Sequence, residues 1–258
     1  LVHLPRNRIA YSAATAQETM NVLVIGSSGA IGNAIARQMY KAFPQATVYA
    51  VSRQAPEIDD GQANLKSVQL DTTDEQAVAD WLAECKQHDM QFHHVVCTTG
   101  ILHDSEVQPE KRLEDITPEA LQHYFAINTV LPMLWIKQLV CFFPSEHSTL
   151  TVLSARVGSI EDNGLGGWYG YRASKAALNM LVKTAAVEYK RRAKHTSLIC
   201  YHPGTVNSQL SEPFQRNVKP EKLFTPEFTA QQLVAMIQQR KVEHSPYFLD
   251  WDNKPIPW

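Results

Sequence analysis

Short apolar segments alternate with segments of helical period along most of this chain, and this alternation restricts the fold more than any other feature. Apolar segments that predict strands lie at 21–26, 46–53, 65–71, 92–100, 148–155, 196–204 and 246–251. Most of them are apolar nearly throughout, which is typical of parallel strands covered on both faces. The pattern predicts an α/β fold, a single doubly wound domain of the Rossmann type with a mostly parallel sheet flanked by helices.

The segments between these strands have apolar residues at helical spacing. They predict helices at 30–43, 73–88, 117–143 and 229–240, and a further long helix that begins within 166–181. Thr73 or Asp74 is the expected N-cap of the second helix, because short polar side chains accept hydrogen bonds from its first backbone N–H groups. Pro132 is expected to interrupt the third helix.

Residues 1–19 differ from the rest of the chain. They have neither a sustained period nor the apolar core of a signal peptide, and Met20 directly precedes the first strand. We expect 1–19 to be an N-terminal extension that is not native, with Met20 as the natural start; a genuine N-terminal arm is the alternative. No linker, repeat or low-complexity tract interrupts the remaining pattern, so we expect a single domain over 20–258.

Composition argues against several classes of function. The formal net charge of −2 gives the chain no general attraction to nucleic acid or to an anionic membrane. No apolar segment is long enough to span a bilayer. The four cysteines are scattered without metal-binding spacing, which indicates reduced thiols and no metal site. We therefore expect a cytoplasmic protein whose partner is a small molecule.

Three glycines follow the first predicted strand, where the first helix begins. Gly26, Gly29 and Gly32 have the spacing G-x-x-G-x-x-G, with Ser28 and Ile31 between them. Glycines at such a junction allow a sharp turn and let a pyrophosphate approach the backbone, while the helix N-terminus adds partial positive charge. The loop predicts a dinucleotide site; a tight strand–helix turn without a ligand is the alternative.

The end of the second strand indicates which dinucleotide is bound. Arg53 is the only charged residue there, and no carboxylate follows until Glu57. A guanidinium suits the 2′-phosphate of NADP, whereas NAD-binding proteins tend to place a carboxylate at this point for the ribose hydroxyls. We predict NADP(H) as the cofactor; a solvated arginine is the alternative.

The segment GYRASK contains a tyrosine four residues before a lysine. On a helix this spacing places Tyr171 and Lys175 on one face. A positive charge one turn away favours the phenolate, which would suit the tyrosine to proton transfer near neutral pH. Tyr169 lies six residues before Lys175, faces away on a helix and is expected to precede the helix, so we favour Tyr171.

From Met20 onward the sequence resembles the short-chain dehydrogenase/reductase family. The resemblance rests on the glycine loop, on LDTTD, FAINTVLP and YRASK, and on HPGTVNS after the sixth strand, in this order along the chain. The segments RVGSI and GGWYGYRASKAALNM and the tail WDNKPIPW look most like the C-factor/sniffer-type carbonyl reductases. The resemblance implies an oxidoreductase that transfers hydride between NADP(H) and a carbonyl or alcohol substrate.

The resemblance also implies roles for matching residues. Tyr171 would be the acid or base at the carbonyl oxygen, Lys175 would hold the nicotinamide ribose, and Asn128 would support a water chain to solvent. The residues implied to bind the cofactor are Gly26, Ser28, Gly29, Ile31, Gly32, Arg53, Asp71, Thr72, Gly100, Lys175, Pro203, Gly204, Val206 and Ser208, the last standing where the family usually has threonine.

Two positions depart from the family pattern. The family's NNAG after the fourth strand is CTTG here, so the asparagine contacts are lost or replaced by Thr98 and Thr99. The family's substrate-orienting serine stands three residues before a glycine, and counting back from Gly158 gives Ala155. We expect Ser154 to supply this hydroxyl, with Ser159 as the second candidate and a missing hydroxyl as the third alternative.

The resemblance extends to the substrate region and to assembly. The loop at 207–224 is expected to form a lid over the substrate, and Leu210 and Phe214 in it suggest an apolar carbonyl compound; Phe214 as a core residue is the alternative. Family members commonly pair through the long helices after the fourth and fifth strands, which implies a homodimer or homotetramer. The rival interpretation is an NADP(H)-binding regulatory or signalling protein with little turnover, and the two departures favour it.

Overall fold

The computed structural model of this protein describes residues 20–54 and 63–258. The prediction about residues 1–19 therefore lies outside the described part of the chain. Within that part, no helix has both the length and the apolar character needed to cross a membrane.

The fold is organised around one seven-stranded parallel sheet. Its strands are β1 (Asn21–Ile25), β2 (Thr47–Ser52), β3 (Leu65–Gln69), β4 (His94–Cys97), β5 (Ser148–Leu153), β6 (Thr196–His202) and β9 (Tyr247–Asp250). They are arranged in the order β3-β2-β1-β4-β5-β6-β9, and every neighbouring pair is parallel. Two short strands, β7 (Thr205–Val206) and β8 (Leu223–Phe224), pair separately. The predicted fold class is confirmed.

Helices cover both faces of the sheet. They are α1 (Ala30–Ala42), α2 (Glu75–Gln87), α3 (Pro118–Phe125), α4 (Leu131–Leu139), α5 (Tyr169–Arg192) and α6 (Pro226–Gln238). Asp74 is the N-cap of α2, since its side chain accepts hydrogen bonds from the backbone of Gln76 and Ala77. The expectation that Tyr169 precedes its helix is wrong, because α5 begins at this residue.

The predicted long helix at 117–143 is divided differently from the expectation. A π-helical turn, Ala126–Val130, separates α3 from α4, and Pro132 lies just beyond it in α4. Proline has no backbone N–H, so the carbonyl of Asn128 has no partner of the ordinary α-helical kind at Pro132. The wider turn accommodates this missing bond, and it contains Asn128, which is fully buried.

Each face of the sheet packs against its own layer of helices. One apolar cluster joins alternate strand residues such as Leu23 and Val95 to α2, α4 and α5, and Trp135 lies at its centre. The other joins residues such as Val24 and Val96 to α1 and α6. Because side chains alternate between the faces of a strand, adjacent residues of β1 and β4 belong to opposite clusters.

The strand order also determines where a ligand cleft opens. Strands β2 and β3 extend the sheet on one side of β1. Strand β4 lies on the other side of β1, and β5, β6 and β9 extend the sheet in that direction. The connections therefore diverge between β1 and β4, and in open α/β sheets ligands bind at the carboxyl ends of the strands at such a point. The glycine loop follows β1, and the CTTG segment ends β4 and continues beyond it.

Candidate active site

A cavity of about 620 Å³ opens where β1 and β4 end. Its wall is formed by the glycine loop, the CTTG segment, the end of β5, the start of α5 and the segment after β6. The lining residues are Gly26, Ser28, Gly29, Ala30, Ile31, Gly32, Thr98, Thr99, Gly100, Leu153, Ser154, Tyr171, Lys175, Pro203, Ser208, Gln209 and Leu210. Most of the residues predicted to act on substrate or cofactor are thus brought to one cavity.

Two glycines make the close turn of the loop after β1. Gly26 has φ = 86°, a conformation that side chains rarely adopt. A Cβ atom on Gly32 would lie 2.4 Å from the carbonyl oxygen of Gly26, so helix α1 could not pack so closely on the loop with any larger residue. The hydroxyl of Thr98 donates to the carbonyls of Ile25 (2.8 Å) and Gly26 (3.1 Å). Thr98 thereby ties the end of β4 to the glycine loop.

The start of α1 has the features of an anion site. Its N-cap is Gly29, which offers no side-chain acceptor, and the first turn contains no acidic residue. The first backbone N–H groups of a helix have no partner within the helix. At α1 they remain available to a phosphate, whose charge the helix dipole also favours. The chemistry of this loop therefore fits a dinucleotide.

Lys175 is held inside the cavity wall. It is 3% exposed, and its Nζ donates to the carbonyl of Leu153 at the end of β5 (2.9 Å). Gly100 passes close by: a Cβ atom there would lie 3.1 Å from Lys175 Nζ and 3.1 Å from Asn128 Oδ1. The glycine of the CTTG segment therefore leaves the space that the lysine and the asparagine occupy.

Asn128 connects the π-helical turn to two other elements. Its amide group donates to the carbonyl of Ile101 (3.0 Å) and to the hydroxyl of Ser174 on α5 (3.1 Å), while Oδ1 accepts from the backbone of Ile101 (2.8 Å). Both amide hydrogens are thus used, and Oδ1 alone keeps bonding capacity. These bonds fix Ile101, the residue after the CTTG segment, relative to Ser174 of α5.

Tyr171 presents an unpaired hydroxyl at the cavity. Within the described residues that hydroxyl makes no hydrogen bond to protein, although the residue is only 8% exposed. The ring of Tyr171 packs edge-on against Tyr124 and Trp168, with centroids 6.3 Å and 6.2 Å away. The Lys175 Nζ lies 5.9 Å from the centre of the Tyr171 ring. Tyr169 lines a different groove, together with Val157 and neighbouring residues.

Burial acts on both ionisable groups of this pair. It raises the pKa of Tyr171 above its ordinary value, and it lowers the pKa of Lys175 to about 8. The sequence predicts a phenol whose pKa the lysine lowers, but burial outweighs that attraction in this structure. Tyr171 is therefore a neutral phenol near pH 7, the form that can give a proton.

The three positions considered for the substrate-orienting hydroxyl, Ser154, Ala155 and Ser159, lie in different surroundings. Ser154 lines the cavity, and its hydroxyl donates to Oδ1 of Asn179 (2.6 Å). The amide of Asn179 donates in turn to the carbonyl of Gly158 (3.3 Å), which identifies Oδ1 as the atom facing Ser154. Ser159 lies outside the cavity lining, in the groove that Tyr169 also lines. Ala155 belongs to the same small apolar cluster as Tyr171 and also lies outside the cavity lining.

A serine hydroxyl has one hydrogen, so the bond to Asn179 leaves Ser154 only acceptor capacity. To contact a carbonyl oxygen, its hydroxyl must turn away from Asn179. Asn179 was not among the residues predicted from the sequence, although its place one helical turn after Lys175 puts it on the same face of α5.

Several predicted cofactor residues lie outside the cavity lining. Arg53 is exposed at the end of β2. The carboxylate of Asp71 accepts hydrogen bonds from the backbone and hydroxyl of Thr73 (2.9 and 2.7 Å), and these bonds lower the pKa of Asp71. Thr72 lines a separate groove beside α4. Arg53 follows strand β2, and Asp71 and Thr72 follow strand β3.

The segment after β6 forms a further part of the cavity wall. Gly204 has φ = 76°, and a Cβ atom there would lie 2.6 Å from the ring of Phe224. Val206 is buried in β7, and its carbonyl accepts from the hydroxyl of Ser208 (3.2 Å). Pro203 and Ser208 line the cavity, whereas Gly204 and Val206 are not part of its lining.

The predicted lid is attached at both ends. Its base is closed by the pairing of β7 with β8, and Leu210 lines the cavity. Phe214 does not line it; its ring packs against Trp168 (centroids 5.2 Å apart) and His103 (5.7 Å). The loop therefore contacts Trp168, one of the two aromatic rings that pack against Tyr171.

Known proteins resemble this chain over nearly its whole length. The 1-hydroxy-2-glutathionyl-2-methyl-3-butene dehydrogenase of a Rhodococcus species is 25% identical over 237 residues, which are 92% of this chain and 99% of that one. The carbonyl reductase Sniffer of D. melanogaster has a TM-score of 0.79 at 18% identity and covers 94% of this chain and 100% of its own. A carbonyl reductase from Pseudomonas aeruginosa in complex with NADP has a TM-score of 0.74 at 24% identity, covering 93% and 100%.

A family match agrees with the geometry. The model of the short chain dehydrogenase family matches residues 20–219, which include the glycine loop, the CTTG segment and the cavity-facing turn of α5. The resemblance predicted from the motifs is confirmed. The chain belongs to the short-chain dehydrogenase family of oxidoreductases.

Proposed function

We propose that this protein reduces a carbonyl compound with NADPH, and that Tyr171 donates the proton to the carbonyl oxygen. The observation that carries the proposal is that Tyr171 lines the cavity beside the buried Lys175 and that its hydroxyl has no protein partner among the described residues. The test is the loss of NADPH absorbance when the purified protein meets a panel of aldehydes and ketones, with NADH as the comparison cofactor. No turnover of any panel member would overturn the proposal.

The glycine loop and the start of α1 would hold the pyrophosphate of the cofactor, and Lys175 would contact its nicotinamide ribose. When bound, the cofactor supplies the hydride for the carbonyl carbon. The solved carbonyl reductase from P. aeruginosa is described as an NADP complex, and a second structural neighbour is an NADPH-bound carbonyl reductase from chicken fatty liver. These descriptions support the choice of cofactor and substrate class.

The protein's own residues provide the proton chemistry. Burial keeps Tyr171 protonated, as the acid in reduction requires. Once the proton has left, the charge of Lys175 stabilises the phenolate. We propose that Asn128 contributes through Oδ1, by accepting a hydrogen bond from a water that links Lys175 to solvent. The same water chain would return a proton to Tyr171.

Arg53 is the proposed contact for the 2′-phosphate. Arg53→Ala should raise the Kd of NADPH about tenfold or more and leave the Kd of NADH within about twofold, because only the phosphate carries the charge that a guanidinium recognises. Fluorescence titration of both cofactors measures the two constants. Arg37→Ala, on α1, is the charge-matched control. An equal loss of affinity for NADPH and NADH would contradict the assignment.

The position of Ala155 makes a second test available. Ala155→Ser places a hydroxyl at the position of the family's serine, in the apolar cluster that contains Tyr171 although outside the cavity lining, and we expect kcat/KM for a small ketone to rise about tenfold, by the effect of one added oxyanion donor. Ser154→Ala should change the same ratio by less than about threefold, since its proton belongs to Asn179. A larger loss in Ser154→Ala than gain in Ala155→Ser would show that Ser154 orients the carbonyl.

A regulatory protein that binds NADP(H) and turns over slowly is the second candidate function. Ala155 favours it, because the family's substrate-orienting hydroxyl is absent at that position. The free hydroxyl of Tyr171 beside the buried Lys175 favours the enzyme, since a protein that only binds the cofactor has no use for a proton donor at the cavity. Tight NADPH binding without any carbonyl turnover would decide for the regulatory protein.

The predicted homodimer or homotetramer stays a prediction. Val130, beside α4, and Met180 and Val187 on α5 are large apolar side chains between 49% and 61% exposed. These helices are the ones through which the family resemblance predicts pairing. Their exposed apolar residues are consistent with a subunit interface.

A further inference from the structure

The helix that carries Tyr171 has no cap of its own. Its N-cap residue, Trp168, has a left-handed backbone (φ = 55°) and a side chain that makes no capping hydrogen bond. Its first turn contains no acidic residue. The leading N–H groups of a helix need partners when they are buried. The first turn of α5 must therefore be satisfied from elsewhere in the chain.

Glu110 supplies that cap from a loop 60 residues away. Both of its carboxylate oxygens accept from the backbone N–H of Gly170, at 3.2 and 3.1 Å, and its carbonyl accepts from the N–H of Trp168 at 2.6 Å. The approach depends on glycine: a Cβ atom on Gly170 would lie 2.8 Å from Glu110 Oε1 and 2.5 Å from the ring of Tyr124. One residue thus anchors both the N-cap and the second residue of α5.

The carboxylate is buried without a cationic partner. Glu110 is 3% exposed, and within residues 20–54 and 63–258 no lysine, arginine or histidine forms an ion pair with it. A buried carboxylate is costly unless something compensates its charge. Here the compensation is the positive end of α5 together with a charge-assisted hydrogen bond. The interaction is therefore specific to the start of this helix.

The cap lies directly beside the proposed acid. Tyr171 follows Gly170 in the chain, and its ring packs between Tyr124 and Trp168, which also border the Glu110 site. One turn later, Lys175 is fixed by its bond to the carbonyl of Leu153. The first two turns of α5 are thus held at two points, Gly170 and Lys175, and Tyr171 lies between them in the chain.

We propose that Glu110 is a positioning residue: by capping α5 it sets the place of the Tyr171 hydroxyl relative to Lys175. This role rests on the proposed function. Glu110 does not line the cavity, so it acts through the helix and not by contact with substrate or cofactor.

The test compares Glu110→Ala with a cap removed elsewhere. Asp74→Ala deletes the side-chain cap of α2, a helix that contributes no residue to the cavity lining. Hydrogen exchange of the amides at 168–175 is measured in both variants. We expect faster exchange there in Glu110→Ala and unchanged exchange in Asp74→Ala. Unchanged exchange in Glu110→Ala would overturn the capping of α5 whatever the turnover.

Kinetics test the positioning role. We expect Glu110→Ala to lower kcat for carbonyl reduction about 10- to 100-fold, because small displacements of a catalytic group have effects of this size. The Kd of NADPH should stay within about twofold of wild type. Glu110→Gln keeps one acceptor oxygen and should retain kcat within about fivefold. A kcat for Glu110→Ala equal to that of Asp74→Ala would overturn the proposal.

A double variant separates positioning from general loss of structure. In the Tyr171→Phe background, Glu110→Ala should change the residual rate by less than about twofold, because two residues that act through one step are not additive. A further loss of about 10- to 100-fold in the rate of the double variant would overturn the positioning role of Glu110. If Glu110→Ala does not fold, the amides at 168–175 are measured in Glu110→Gln, where we expect faster exchange than in wild type because a neutral amide lacks the charge-assisted bond to the Gly170 N–H; exchange equal to wild type would overturn the capping. If the wild-type protein turns over no carbonyl compound, both the proposed function and the positioning role are wrong. The hydrogen-exchange result would still show whether Glu110 caps α5.

Discussion

Tyr171→Phe is expected to lower kcat for carbonyl reduction by about 10²- to 10⁴-fold, the range that a general acid contributes. Phenylalanine keeps the ring that packs against Tyr124 and Trp168 and removes only the hydroxyl that faces the cavity. That hydroxyl has no protein partner within the described residues, so its loss leaves no buried group unpaired. The thermal midpoint and the Kd of NADPH should therefore stay close to those of wild type.

The control for this variant is Tyr169→Phe. Tyr169 is the first residue of the same helix, but it lines a different groove and lies outside the cavity lining. We expect its kcat to change by less than about twofold, the scale of an ordinary surface hydroxyl. If Tyr171→Phe kept its activity, the proton would have to come from another group and the assignment of Tyr171 would be wrong.

Lys175→Met is expected to lower kcat by roughly 10²-fold, which is the effect of removing one preorganised charge from a buried site. The proposed loss has two causes, since Lys175 stabilises the phenolate of Tyr171 and contacts the nicotinamide ribose. The Kd of NADPH should therefore rise in this variant, in contrast to Tyr171→Phe. Stopped-flow reduction and fluorescence titration distinguish the two effects.

The same substitution should stabilise the fold near neutral pH. Burial lowers the pKa of Lys175 from 10.5 to about 8, which corresponds to a folding cost of about 3 kcal/mol wherever the lysine is charged in both states. The lost hydrogen bond to Leu153 offsets about 1–3 kcal/mol of this gain. Below pH 8 the cost is complete; between pH 8 and 10.5 the unfolded chain holds the proton that the folded protein has lost, so wild-type stability recovers as pH rises.

The stability advantage of Lys175→Met should accordingly shrink by about 3 kcal/mol between pH 8 and pH 10.5. Denaturant unfolding at a series of pH values measures it. Lys190→Met, at an exposed position of the same helix, is the matched control and should show no such dependence. An advantage independent of pH would mean that Lys175 is not the group whose ionisation opposes folding.

The elements and the main site residues were predictable because their signals are local. The apolar strands, the glycine loop after β1 and the four-residue step from Tyr171 to Lys175 each lie within a few consecutive residues. Periodicity then predicts which face a side chain occupies, and parallel strands bring their carboxyl ends to one edge. The same local reading failed at Tyr169, where α5 starts earlier because its cap comes from outside the helix.

The choice among hydroxyls could not be made from spacing. Ser154, Ala155 and Ser159 lie within six residues, and a shift of one residue changes the face on which a side chain lies. The structure gives them different surroundings: Ser154 lines the cavity and donates its proton to Asn179, whereas Ala155 and Ser159 lie outside the cavity lining, and the hydroxyl that meets the substrate stays a prediction. The ionisation of Tyr171 was equally inaccessible, since the lysine is evident in the sequence but the depth of burial is not.

The sequence by itself determined the α/β fold, the glycine loop after β1 and the placement of Tyr171 and Lys175 on one face of a helix, because each follows from periodicity or from residues close together in the chain. Only the tertiary structure decided how those groups are held. Thr98 ties β4 to the glycine loop, Asn128 joins the CTTG segment to α5, and Glu110 caps the helix of Tyr171. The physical reason is that a hydrogen bond depends on distance in space, and these partners are brought together by folding from positions as much as 73 residues apart.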